Sequence, residues 1–83
     1  MDFKIIGKIS NRETFARGPN VRIRDYLNQT YAGGRRVRWR HCKGLATVEY
    51  INGEIWVAEV HWFEAHGIGR RDEFVKYRIR RIG

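Results

Sequence analysis

Apolar and polar residues alternate with period two through most of the second half of the chain. "LATVEY" (residues 45–50) and "EIWVAEVHWFE" (residues 54–64) read as strands, and Asn52-Gly53 between them is a strong hairpin signal. "RRVRWRHCK" (residues 35–43) alternates cations with Val37 and Trp39, and "EFVKYRIRRI" (residues 73–82) alternates again. Upstream the period changes. In "GPNVRIRDYLNQTYAGG", Ile23, Tyr26, Leu27, Thr30 and Tyr31 recur at three- and four-residue steps, which predicts one amphipathic helix. Asn20 can cap its start behind Pro19, and Gly33-Gly34 can end it. "FKIIGKI" and "ETFA" predict an N-terminal hairpin turning at Asn11-Arg12, although Ser10 and Glu13 have the spacing of a capping box that would start a helical turn there. The expected fold is α+β: an N-terminal hairpin and one helix packed on a three- to four-stranded antiparallel sheet, in a single domain over residues 1–83.

Period two also sorts the faces of that sheet. Trp56, Ala58, Val60 and Trp62 form one apolar set, and Val75, Tyr77 and Ile79 form another. Two registers of the Asn-Gly hairpin are open. A strict two-residue loop pairs Val48 with Val57. A loop with one extra residue and a bulge pairs Val48 with Trp56 and Thr47 with Val57; it is preferred because it keeps the apolar sets together. On that reading the helix covers the apolar face, and the opposite face carries Glu49, Glu59, His61, Lys76, Arg78 and Arg80.

Charge gives this face a direction. The chain has 17 Lys and Arg against 9 Asp and Glu, a net charge of +8, and most of the cations are arginine. Arginine presents a planar fork of donors that matches phosphate oxygens, so a basic, Arg-rich small domain points first to nucleic acid and second to an acidic protein. Cys42 is the one cysteine, which excludes an internal disulfide and a cysteine-based metal framework and fits a reducing compartment. No run approaches the roughly 18 apolar residues of a membrane span, and no leader pattern opens the chain, so a cytoplasmic protein without a membrane partner is expected.

The candidate chemistry centres on "AEVHWFEAHGIGRR" (residues 58–71). Metal-independent RNA cleavage needs a base for the 2′-hydroxyl, an acid for the leaving oxygen and cations for the charge gathering on phosphate. Glu59 and His61 can supply base work, His66 an acid, and Lys76 and Arg78 the charge. These five are the candidate catalytic residues. A half-buried strand histidine at 61 and a plain loop histidine at 66 are the competing readings. His61 and His66 are five apart on a strand, not four apart on a helix, so no metal site or other cofactor is expected. Arg36, Arg38 and Arg40 fall on one side of a strand and, with Lys43, make a phosphate track. An exposed Trp39 could stack on an unpaired base, but it shares the parity of Val37, which favours a place in the core. "HGIGRR" brings Arg70 and Arg71 next to glycines whose amides can approach an anion. Arg80 extends the cationic row.

The stretch "KGLATVEY–ING–EIWVAEVHWFEAHGIGRRDEFVKYRI" resembles a signature of small bacterial proteins and toxin C-terminal domains, in which a K-G strand leads into "AEVHWYEAHGIG" and a basic last strand. The order of helix then antiparallel sheet is also similar to the barnase–EndoU–colicin–RelE superfamily of small ribonucleases. The resemblance covers residues 34–82. It implies a metal-independent endoribonuclease, the toxin of a toxin–antitoxin pair, acting on RNA and held by an acidic antitoxin. The alternatives are a non-catalytic RNA- or DNA-binding module and an interaction domain for another acidic protein.

Overall fold

The computed structural model describes residues 2–83. Four strands, β1 (Phe3–Arg17), β2 (Arg40–Tyr50), β3 (Ile55–Ala65) and β4 (Gly69–Arg81), form one antiparallel sheet in the order β1-β2-β3-β4. A single helix, α1 (Arg24–Tyr31), lies in the connection between β1 and β2. The α+β architecture expected from the pattern is therefore present.

The hairpin between β2 and β3 has the bulged register. Val48 pairs with Trp56 and Thr47 with Val57. Tyr50 N–H donates to Glu54 O at 2.8 Å, and Gly53 sits at φ 89°. That closes a three-residue loop in which only glycine adopts the left-handed position cheaply.

The N-terminal hairpin is not formed. Phe3–Arg17 is one strand, and both stretches expected to pair with each other pair with β2 instead, from Phe3↔Tyr50 to Arg17↔Arg40. Asn11, at φ 52°, marks one of the register shifts that break this strand rather than a turn or a helix start. The helix also begins later than Asn20. Residues Gly18–Asn20 form a short 3-10 turn, and Asn20 does not cap α1. Its end is as expected, with Gly33 and Gly34 at φ 61° and 82° and Gly34 N–H returning to Asn28 O.

Two apolar clusters lie on opposite faces. Cys42, Ala46, Val48, Ala58, Val60 and Trp62 form the even-numbered core, closed by Phe3, Ile5, Ile9, Tyr50, Trp56 and Val75 from the strands themselves. The sheet curls tightly enough that a Cβ at Gly44 would lie 2.4 Å from Ile9 and 2.9 Å from the Ser10 carbonyl oxygen. Val21, Leu27, Trp39, Phe63 and Ala65 form the second cluster, so α1 packs on the odd face, over one end. This corrects the expected layering: the helix shares its face with His61 and Glu59 instead of backing it. The even face needed no helix, because β1 bends over it.

Candidate functional site

Beyond the helix the odd face is open, and the pairing places its residues. His41 lies opposite Phe63, Lys43 opposite His61, and Leu45 opposite Glu59. On the far side His61 faces Phe74, Glu59 faces Tyr77 and Val57 faces Arg80. Directly paired residues point to the same side of a sheet. The centre of the open face is therefore two histidines and a carboxylate ringed by aromatic side chains.

These three groups form one hydrogen-bonded chain. Glu59 Oε2 lies 2.8 Å from His61 Nε2, and His61 Nδ1 lies 3.2 Å from His41 Nε2. The hydrogen bond from His61 holds the Glu59 carboxyl below its ordinary range, with the Lys43 and Lys76 charges adding to it. Glu59 is thus ionised at neutral pH and can only accept. When the His61 ring is neutral, its Nε2–H donates to Glu59, its Nδ1 accepts from His41 Nε2–H, and His41 Nδ1 keeps its lone pair. Burial, the neighbouring His61 and the Lys76 charge lower the His41 pKa to about 4, so His41 is neutral across the physiological range.

Aromatic rings hold this chain in place. Phe15 lies 4.0 Å from the His41 ring and Phe63 4.4 Å from it, so His41 is sandwiched. Phe15 and Phe74 lie 5.4 and 5.3 Å from His61. His61 is 7% exposed, whereas Phe15 and Tyr77 are about half exposed at 51% and 57%. Lys43 stands beside Phe15, 5.7 Å from its ring, and is ion-paired with Glu13 at 3.5 Å.

Of the candidate residues, Glu59 and His61 come together as expected, and Lys43, Lys76 and Arg80 lie around them. Three do not join. His66 is exposed in the β3–β4 turn, and five residues of extended strand put it roughly 16 Å from His61. Arg78 pairs with Ala58 and stacks over Trp56 and Tyr50, at 4.9 and 5.7 Å, on the even face. Glu49 shares the odd face but pairs with Ile55 near the hairpin and binds Lys4 at 3.3 Å. The cause of the Arg78 error is specific. β4 carries register shifts against β3, and the extra residues turn the expected row of Lys76, Arg78 and Arg80 out of phase. Tyr77 and Ile79 are exposed for the same reason, while Val75 stays in the core.

The expected arginine track is also divided. Only Arg40 belongs to a strand, and it is ion-paired with Glu64 at 3.6 Å. Arg36 and Arg38 precede β2 and line a cavity with Arg24. Arg70 is held by Glu73 at 2.9 Å, and Arg71 stacks over Tyr31 at 5.5 Å. Trp39 is fully buried, as its parity predicts. His41 was not singled out in the sequence. The signal for it lies in the hairpin register, which sets residue 41 opposite 63 and next to 61.

Cys42 belongs to a separate cluster on the even face. Its thiol donates to Glu64 Oε1 at 3.2 Å, and burial pushes its pKa up. Burial also works against the charge on Glu64, but the Cys42 and Trp62 donors and the Arg12 and Arg40 charges outweigh it and hold that carboxyl low. Among the described residues no group of three His, Cys, Asp or Glu side chains is arranged to hold a metal ion, and no helix is long and apolar enough to cross a membrane.

No family model, no curated protein and no solved structure matches this chain.

Proposed function

We propose that the odd face binds single-stranded RNA and that the Glu59–His61–His41 chain makes it a metal-independent endoribonuclease. The observation that carries this reading is the continuous hydrogen-bonded path from an ionised carboxylate through two imidazoles to a half-buried nitrogen with a free lone pair. His41, rather than His61, is then the group that meets the substrate. His41 Nδ1 takes the proton of a ribose 2′-hydroxyl as the 2′-oxygen attacks the adjacent phosphorus. The P–O5′ bond breaks, leaving a 2′,3′-cyclic phosphate, and the 5′-oxygen takes a proton from solvent. The new imidazolium is steadied through His61 by Glu59. Lys43, Lys76 and Arg80 supply positive charge for the phosphate, and exposed Phe15, Phe74 and Tyr77 offer stacking faces to unpaired bases. The net charge of +8 fits the same substrate, and also a dissociable acidic inhibitor of the antitoxin kind.

A second reading rests on the burial of His61. That ring is 7% exposed and both its nitrogens are engaged. Such a chain would equally stiffen a platform that holds RNA without cutting it. One experiment separates the two. Wild-type protein and His41→Gln are incubated with a single-stranded RNA in EDTA. Cleavage by the wild type, reduced about 10²–10⁴-fold in His41→Gln, supports the enzyme. Salt-sensitive binding with no product from either protein establishes the platform and removes the enzyme.

A further inference from the structure

We infer that the cavity between α1 and the segment preceding β2 is a binding pocket for a phosphate monoester, the 5′-phosphorylated end of a nucleic acid strand. The cavity encloses about 490 Å³ and is lined by Arg24, Arg36 and Arg38 together with Gly18, Asp25 and Asn28. Arg24 reaches it from α1, and Arg36 and Arg38 from the segment before β2; the Arg38 guanidinium lies against Gly18 on the wall. Among the described residues the Lys and Arg ion pairs are Lys4–Glu49, Arg12–Glu64, Arg40–Glu64, Lys43–Glu13 and Arg70–Glu73, so these three arginines have no carboxylate partner, Asp25 included. Most other arginines are engaged. Arg12, Arg40 and Arg70 are ion-paired, Arg71 and Arg78 stack on aromatic rings, and Arg35 and Arg81 donate to backbone carbonyls.

An independent observation comes from Asn28. Its side chain is 8% exposed. Its Oδ1 accepts from Trp39 Nε1 at 2.8 Å and from Val37 N–H at 3.2 Å. Those two donors fix the amide orientation, because only the oxygen can accept. The amide NH2 makes no hydrogen bond within the protein, and Asn28 lines the cavity. A rigidly held amide donor on the same cavity wall as three arginines without carboxylate partners matches a tetrahedral dianion. Asp25 at the wall suits a neighbouring hydroxyl, since a carboxylate can only accept, and so favours a sugar phosphate over a bare anion.

The pocket lies beside the proposed RNA face. Arg38 is three residues from His41, and Gly18 is three residues from Phe15, so an extended strand reaches from one to the other within roughly 10 Å. The identity of the ligand as an RNA end rests on the function proposed above; the affinity for phosphate does not.

Two measurements test this and keep the two ideas apart. In the first, inorganic phosphate is titrated into the protein, and the side-chain NH2 resonances of Asn28 are followed. A saturable shift in wild type that is lost in Arg36→Gln/Arg38→Gln is expected; no shift, or one unchanged in the double variant, overturns the pocket. In the second, a single-stranded RNA carrying a 5′-phosphate is compared with the same RNA carrying a 5′-hydroxyl. The phosphorylated strand should bind about tenfold tighter, and the double variant should erase that difference. Arg80→Gln should weaken both strands equally. Equal binding of the two strands to wild type overturns the assignment to an RNA end, whether or not either strand is cut.

Discussion

Single side chains in this protein act by orienting their neighbours. Asn28 is the clearest case. It ties α1 to the Trp39 segment through two hydrogen bonds, one of them to a fully buried indole. Asn28→Ala should lower unfolding free energy by roughly 2–3 kcal/mol, because both donors lose their acceptor, and urea denaturation followed by tryptophan fluorescence would read it. His61 holds a similar position between Glu59 and His41. His61→Ala should therefore lose RNA cleavage as fully as His41→Gln, while His41→Gln should keep the fold. Sequence reading reached Glu59 and His61 because they are two apart on one strand. It missed Asn28, which looks like a polar residue beside a helix stripe, and His41, whose role exists only across a strand pair. Side chains that work through partners distant in sequence leave no periodic signal.

At the level of elements, bulges decide more than periodicity does. The pattern located β3, the span of β4 and the preferred hairpin register, but it split β2: residues 35–43 and 45–50 read as two strands, whereas Arg40–Tyr50 is one and residues 35–39 lie outside it. It failed in β1 and β4, where register shifts change the side a residue faces without changing the composition. Arg78 moved to the even face in this way, and the N-terminal hairpin became one bent strand. Gly44 shows why β1 can bend so closely over β2. A methyl group there would meet both the Ile9 side chain and the Ser10 backbone oxygen. Gly44→Ala is expected to destabilise the protein by roughly 1–3 kcal/mol through overpacking, with a matching fall in melting temperature. Gly53→Ala is destabilising for a different reason, its φ of 89°, and nothing crowds that position.

For the molecule as a whole, charge and protonation link stability to binding. The His41 pKa stands at about 4, against an ordinary 6.5. As pH falls through 6.5 the unfolded chain takes up a proton that the folded chain refuses until about pH 4. Stability should therefore be flat above 6.5 and decline between 6.5 and 4. The loss should be about 1–2 kcal/mol after allowing for solvent screening of a half-buried ring. Thermal unfolding across that range would show it, and His41→Gln should remove the slope. RNA affinity should fall steeply with salt, and Arg80→Gln should lower the slope of log K against log salt by about one. The α+β class and the basic character were legible from the chain. The sharing of one face by helix and histidines was not, because nothing in β1 announced that it would close the other face.

The long pairing of β1 with β2 also carries a kinetic consequence. β2, β3 and β4 follow one another through short turns, whereas Phe3 meets Tyr50 only after the whole intervening chain, α1 included, has been brought round. Loop closure of that length has to precede any gain from the contact, so β1 should dock last during folding and peel away first. Its amides should then exchange with deuterium faster than those of β2 and β3. Phe15 leaves with it, and each such opening uncovers His41 before the rest of the sheet has moved.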